Sequence, residues 1–145
     1  MTPRTACLAV VLVAGLGLAH AGGGILGVWR VENGEAHIEL ARCGDELCGT
    51  IVWLDESRPG FEKKDLHNPD PAKRDQGVLG LTILEGVSGT PNKRGYFRGG
   101  RIYDPESGKT YRCTLSMSDD DRVRMKGYIG IPLFGRSTYW TRVGS

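Results

Sequence analysis

The sequence predicts an all-β fold, an eight-stranded antiparallel up-and-down barrel with one short helix in a long loop. Glycine supplies 22 of the 145 residues, about twice its usual share of roughly 7%, and apolar and polar residues alternate with a period of two along most of the chain. Glycine weakens helices and suits turns, and this period is typical of strands with one buried face. A sandwich fits the same pattern, but a closed barrel leaves no unpaired edge.

The amino terminus has the pattern of a cleaved signal peptide. One positive charge, Arg4, precedes an apolar run from Cys7 to Leu18, and Ala19-His20-Ala21 has the small-x-small form of a signal-peptidase site. A retained membrane helix needs about 20 apolar residues, more than this run offers. We therefore expect residues 1–21 to be removed and residues 22–145 to form one exported domain, in the periplasm or secreted, with no transmembrane segment.

Four strands are predicted in the first half of the mature chain. Gly27 to Glu32 and Ala36 to Ala41 flank Asn33-Gly34, a strong hairpin signal, so these two strands pair antiparallel. Thr50 to Leu54 and Gly80 to Leu84 are the third and fourth strands.

Four more strands follow in the second half. They are Tyr96 to Asp104, Lys109 to Met117, Arg122 to Ile129, and Ser137 to Val143. Turn residues separate them, most clearly in the segment from Asp104 to Gly108, where proline, serine and glycine favour a tight connection.

Two connections are not short polar turns. Asp55 to Gly77 is longer than loops in compact domains usually are, which predicts a lid or binding loop, with a mobile surface loop as the alternative. Within it, Asp70 as N-cap and Pro71 at the first helical position predict a short helix. Gly130 to Gly135 encloses four apolar residues, which predicts packing over the barrel end or contact with a ligand or partner.

Export changes the interpretation of the cysteines. Cys43 and Cys48, with four residues between them, form a candidate disulfide across a strand connection. The alternative is a metal site with His37 or His67, but structural zinc usually needs four ligands at recognisable spacing, so we predict no metal. Cys113 alternates with apolar residues on a strand and is predicted to be a buried thiol.

Few residues offer catalytic chemistry. The mature chain has two histidines, His37 and His67, and lacks a Gly-x-Ser-x-Gly nucleophile motif, so we predict no enzyme and no cofactor. One polar cluster in the second half could meet at a barrel mouth and bind a ligand. Its members are Arg101, Tyr103, Asp104, Lys109, Tyr128 and Arg136. The alternative is that Asp104 and its neighbours only build a hairpin turn.

The residues also carry a resemblance to known families. Gly27-Val28-Trp29, together with Arg142, is similar to the Gly-x-Trp motif and closing arginine of the lipocalin superfamily. Five ordered segments resemble the bacterial domain of unknown function 2147 family over nearly the whole mature chain. They are Cys43 to Gly49, Asn68 to Pro71, Gly80 to Leu84, Gly99 to Tyr111, and Gly127 to Arg136. The resemblance implies an exported lipocalin-like barrel, closed by Arg142 over Trp29 beside Gly27, and implies no established activity.

These observations lead to two functional hypotheses. The first is a non-enzymatic exported protein that binds a small, partly apolar molecule in or at the mouth of the barrel. The alternative is a periplasmic interaction module, an inhibitor or envelope-assembly factor, with a filled barrel and an envelope protein as partner. A net charge of +2 argues against nucleic acid as the main partner.

Overall fold

The structure is a computed structural model that describes residues 24–129 and 135–144. Eight strands of this part of the chain form a closed barrel in sequence order, every neighbouring pair antiparallel, and the prediction of an up-and-down barrel is confirmed. The strands are β1 (Gly27–Arg30), β2 (Ala36–Cys43), β3 (Glu46–Leu54), β4 (Thr82–Ser88), β5 (Tyr96–Asp104), β6 (Lys109–Asp119), β7 (Arg122–Tyr128) and β8 (Arg136–Arg142).

The sheet closes because the first strand pairs with the last. Trp29 lies opposite Arg142 and Arg30 opposite Thr141, so no edge strand is left among the described strands. A short 3-10 helix, Pro71–Lys73, interrupts the β3–β4 loop, and the side chain of Asp70 accepts a hydrogen bond from the backbone N–H of Ala72, as the predicted N-cap should.

Some strand ends differ from the predicted ones. β3 begins at Glu46 rather than Thr50, because the chain pairs with β2 directly after the Cys43–Glu46 turn. β4 begins at Thr82, since Gly80 has a φ of 85° and its N–H donates to the carbonyl of Ile51 on β3 before the regular pairing of β4 starts. β3 also contains an irregularity that leaves both Val52 and Trp53 exposed.

The core fills one half of the barrel. Its most buried side chains come from nearly every strand and are Trp29, Ile38, Leu40, Leu47, Leu84, Val87, Leu115 and Val123. β5 approaches β4 closely here, because a Cβ on Gly100 would lie 2.3 Å from Val87 Cγ2. We call this half of the barrel, which contains the β2–β3, β4–β5 and β6–β7 turns, the closed end.

The cysteines behave as predicted. A disulfide joins Cys43 to Cys48, with 5.9 Å between their Cα atoms, and it pins the β2–β3 turn. Cys113 is a free, fully buried thiol, and burial raises its pKa to about 12. Burial therefore disfavours the thiolate, which is the reactive form of a cysteine.

Two predictions concern residues outside the described ranges. They are the signal peptide at residues 1–21 and the apolar segment at residues 131–134. In the part of the chain that the structure describes, no helix is long and apolar enough to cross a membrane.

Candidate ligand cavity

A cavity of about 670 Å³ occupies the half of the barrel opposite the closed end. We call this half the open end; it contains the β1–β2 hairpin, the β3–β4 loop and the β5–β6 turn. The cavity wall is mostly apolar, because the inward residues of the strands continue the core pattern. The apolar lining residues are Val31, Ala36, Ile38, Ile51, Leu54, Val78, Ile83, Ile102, Met125 and Trp140.

The rim of the cavity is polar and charged. It is formed by Asn33, Glu35, Arg58, Asp104, Glu106, Tyr111, Tyr128 and Arg136. An apolar wall with a few polar groups at one end is typical of a small-molecule site, since the wall accepts the body of a ligand and the rim orients it.

Arg58 connects three segments across this rim. Its Nη1 donates to Glu35 Oε2 on the β1–β2 hairpin at 2.9 Å and also pairs with Glu106 on the β5–β6 turn, while Arg58 itself belongs to the β3–β4 loop. The bond to Glu106 is the main reason that the pKa of Arg58 is raised, although partial burial opposes this. We call this ion-pair cluster the rim latch.

Two buried polar atoms at the cavity have no hydrogen-bond partner in the described part of the chain. They are Arg58 Nε and Thr138 Oγ1, and both residues line the cavity. Buried polar groups in proteins are nearly always paired, so such atoms at a cavity wall indicate where a polar group of a ligand or a water would bind. The arginine N–H is a donor and the threonine hydroxyl either donates or accepts.

The β3–β4 loop is anchored to β5 through one carboxylate. Asp65 is fully buried and accepts hydrogen bonds from Tyr103 Oη (2.6 Å), Asn68 Nδ2 (2.8 Å) and Gln76 Nε2 (2.9 Å). Burial alone would raise the pKa of Asp65, but these three donors outweigh it and hold the pKa below its usual value. Burial, and next the bond to Asp65, raise the pKa of Tyr103.

A second contact fixes the same loop to the β5–β6 turn. Gly108 has a φ of 72°, and a Cβ at this position would lie 1.9 Å from the carbonyl oxygen of His67. Any other residue would therefore separate the turn from the loop. The rim latch, Asp65 and Gly108 together hold a long connection in a defined position against the barrel.

The structure brings four of the six predicted ligand residues to the cavity: Tyr103, Asp104, Tyr128 and Arg136 line it. Arg101 and Lys109 do not. Arg101 is exposed on the outer wall because its neighbours Gly100 and Ile102 face inward, and side chains alternate along a strand. Lys109 is exposed at the start of β6.

Asp104 also forms part of the β5–β6 hairpin turn, which is the structural role that the alternative hypothesis gave it. Its carboxylate accepts hydrogen bonds from the backbone N–H of Glu106 (3.0 Å) and from Ser107 Oγ (2.6 Å). Its carbonyl accepts from the N–H of Gly108 at 2.8 Å. The side chain therefore already has partners in the turn, which leaves Arg136 and Tyr128 as the freer polar groups of the predicted set.

At the closed end, Arg142 packs over Trp29 with its guanidinium carbon 4.2 Å from the ring centroid. The guanidinium also donates to the carbonyls of Gly24, Leu26 and Asp120. A Cβ on Gly27 would lie 3.1 Å from Arg142 Nη1, so the glycine makes room for the arginine. This arrangement seals the barrel far from the cavity rim.

Neither histidine forms part of the cavity lining. His37 stacks on Trp53 on the outer wall, with ring centroids 4.4 Å apart, and burial, then the charge of Arg30, lower the pKa of His37. His67 Nε2 lies 3.0 Å from Glu62 Oε2 in the β3–β4 loop. In the described ranges, no three His, Cys, Asp or Glu side chains are grouped so that they could hold a metal ion.

Several residues of the site were not singled out from the sequence. The rim latch joins residues 23 and 48 positions apart, and no local pattern marks such pairs. Tyr111 and Thr138 lie on strands that were predicted. The sequence does not show how far the core extends along the barrel, so it does not show that these two residues reach the cavity. The feature of the sequence that pointed to this part of the site was the length of the β3–β4 loop, which predicted a lid or binding loop.

The fold and the cavity define a small lipocalin-like barrel. The family model described as an uncharacterized protein conserved in bacteria (DUF2147) matches residues 27–142. The chain belongs to this family, and the resemblance found in the sequence is confirmed.

A solved structure supports the fold. The chain is similar to protein HP1028 from Helicobacter pylori, which is described as belonging to the lipocalin family. The TM-score is 0.73 at 17% identity, and the match covers 83% of this chain and 84% of that one. At this identity the likeness concerns the fold alone. No curated protein matches the sequence.

Proposed function

We propose that the protein binds a small, partly apolar molecule inside the open end of its barrel, without catalysing a reaction. The observation that carries this proposal is the cavity of about 670 Å³, whose wall is apolar and whose rim holds Arg58, Arg136 and Tyr128. Lipocalin-like barrels with an interior of this kind are suited to enclosing one small ligand.

The rim indicates the chemistry of the ligand's polar end. Arg58 Nε and Thr138 Oγ1 lack partners in the described ranges, and the nitrogen can only donate a hydrogen bond. A ligand with an acceptor oxygen at one end would satisfy it, while its hydrocarbon part lies against Ile38, Ile102 and Met125.

The alternative, an interaction module for an envelope protein, required a filled barrel. Trp29 fills the closed end, but Trp140 lies at the wall of a cavity rather than across it, and Trp53 is on the outer surface. The geometry therefore favours the ligand-binding hypothesis. Leu133 and Phe134, which the alternative would use, lie outside the described residues.

Filling the cavity tests the proposal directly. Ala36 lines the cavity, and Ala41 lies on the opposite face of β2, because an odd number of positions separates the two residues and side chains alternate along a strand. Binding of the apolar fluorescent probe N-phenyl-1-naphthylamine is measured for the wild type, Ala36→Phe and Ala41→Phe. We expect the probe to bind the wild type and Ala41→Phe, and Ala36→Phe to lose at least tenfold in affinity. Equal binding by all three proteins, or none by the wild type, would reject the proposal.

Native mass spectrometry of the protein purified from its host under mild conditions identifies the natural ligand. A bound mass that organic extraction removes, and that competes with the probe, supports the proposal. Export is a separate part of it, supported by the sequence of residues 1–21 and by the Cys43–Cys48 disulfide. Amino-terminal sequencing after cell fractionation tests it, and we expect Gly22 as the first residue of a periplasmic or secreted protein.

A further inference from the structure

Strands β5, β6 and β7 carry a set of basic side chains on the outer wall of the barrel. The inward neighbours of these side chains, such as Cys113, Leu115 and Val123, are fully buried, so the residues between them point outward. The outward cations are Arg98, Arg101, Arg112, Arg122, Arg124 and Lys126. We call this surface the basic wall.

The positions between these cations carry hydroxyl groups instead of carboxylates. They are Thr114, Ser116, Ser137 and Tyr139, together with Tyr128, which borders both the wall and the cavity rim, and all lie in register with the cations on neighbouring strands. Two carboxylates are in register at the margins, Glu85 on β4 opposite Arg101 and Asp119 opposite Arg122. Over the described ranges, neither Glu85 nor Asp119 forms an ion pair within 4.0 Å. The basic members of the ion pairs in these ranges are Arg58, Lys64, His67 and Arg142.

Arg101 and Arg112 lie directly opposite each other on β5 and β6. Like charges in this relationship destabilise a sheet. Neither guanidinium makes a hydrogen bond or ion pair to a described residue, in contrast to Arg58 and Arg142, whose contacts explain their positions. Both arginines border a hollow over the backbone of Gly99 and Gly100, with Tyr128 at its far side. An anion bound from outside would relieve the repulsion.

Further cations of the wall are held in place by uncharged partners. The guanidinium of Arg122 lies 4.3 Å from the ring centroid of Tyr139, and Arg124 Nε donates to Ser137 Oγ at 3.1 Å. Neither contact neutralises the charge. The positive charges therefore extend over three strands, and neighbouring strands are about 4.8 Å apart. A surface of this width suits an extended array of phosphates better than one small ion.

We propose that the basic wall binds the surface of an anionic phospholipid membrane. Charge complementarity favours phosphate headgroups, which accept hydrogen bonds from both the cations and the hydroxyls of the wall. Ile129, which directly follows β7 and also lines the mouth of the cavity, is 73% exposed and places an apolar group beside the wall at the open end. Such a residue suits a lipid surface and would gain little from the phosphate backbone of a nucleic acid. The net charge of +2 does not reveal this patch, because most acidic residues lie outside the wall and only Glu85 and Asp119 lie at its margins.

Vesicle flotation tests the proposal with a matched pair of variants. Arg101→Gln/Arg112→Gln removes two charges from the wall, and Lys63→Gln/Lys73→Gln removes two from exposed positions of the β3–β4 loop. Neither pair takes part in an ion pair within the described residues, so both variants should fold. All proteins share the same amino-terminal segment, so any lipid affinity of that segment is common to them.

We expect the wild type to float with phosphatidylglycerol vesicles and not with phosphatidylcholine vesicles, and to be released by salt. Arg101→Gln/Arg112→Gln should reduce the partition coefficient about thirtyfold, and the loop variant much less. Equal binding to both lipids, no binding to either, or equal loss in both variants would overturn the proposal. Tighter binding to a DNA duplex than to anionic vesicles at the same salt concentration would also overturn it. None of these readouts requires an occupied cavity, so this proposal and the proposed function fail separately.

Discussion

Tyr103 Oη donates a 2.6 Å hydrogen bond to Asp65 Oδ1, and this contact joins the wall of the barrel to the middle of its longest loop. The carboxylate of Asp65 is buried and takes two further donors from the loop itself. One side chain therefore organises the loop and attaches it to β5, and the same loop carries Arg58 to the cavity rim.

Replacing Asp65 by asparagine should destabilise the protein. The amide would direct an N–H group at donors that need an acceptor, so we expect the free energy of unfolding to fall by about 2 kcal/mol in urea titrations. Asp75→Asn is the control, since Asp75 pairs with Lys64 but its side chain is 88% exposed, and such pairs contribute little. Similar losses in both variants would mean that Asp65 has no special role.

The same carboxylate should make stability depend on acid. Hydrogen bonds hold the pKa of folded Asp65 below its usual value of 3.8. A lowered pKa contributes stability above the unfolded pKa, and this is lost as the pH falls through the folded value. Between about pH 5 and pH 3 the wild type should therefore lose more unfolding free energy than Asp65→Asn. Parallel pH profiles of the two proteins would contradict this assignment.

Opening the rim latch should speed ligand exchange without unfolding the barrel. Arg58→Gln removes the ion pairs to Glu35 and Glu106, which we expect to raise the dissociation rate of N-phenyl-1-naphthylamine about fivefold in stopped-flow measurements. The free energy of unfolding should change by less than about 1 kcal/mol, because both acidic partners regain water. Lys64→Gln, which breaks an ion pair of the same loop away from the rim, should leave the rate unchanged.

Gly100 should not tolerate a side chain. A Cβ there would lie 2.3 Å from Val87 Cγ2 and 3.0 Å from Cys113 Sγ, in the packed part of the core. Gly100→Ala should therefore lower the free energy of unfolding by about 1–3 kcal/mol. Gly24→Ala, where no atom lies within 4 Å of the added Cβ, should be neutral by the same measurement. A stable Gly100→Ala protein would show that β4 and β5 can separate locally.

The strand pattern could be predicted because it is a local property. Alternation of apolar and polar residues marked all eight strands, and Asp70 with Pro71 marked the short helix. The ends of β3 and β4 were less accurate, because they depend on pairing between strands: Glu46 extends β3 across from Cys43, and Gly80 bonds to Ile51.

The site was less predictable because its parts are distant in sequence. Tyr128 and Arg136, which belong to a distinctive motif, were predicted as ligand residues and line the cavity, whereas Arg58 and Asp65 lie in a polar loop with no pattern of their own. Arg101 was expected at the cavity and faces outward, since a one-residue difference in phase moves a strand side chain to the opposite face.

The disulfide between Cys43 and Cys48 and the packing of Arg142 on Trp29 both lie at the end of the barrel remote from the rim. The contacts that stabilise the closed barrel and the residues that form the cavity rim therefore lie at opposite ends of the same sheet. Substitutions in the rim loops do not touch the contacts that close the barrel. The composition of the cavity rim can therefore vary while the contacts that close the barrel stay in place.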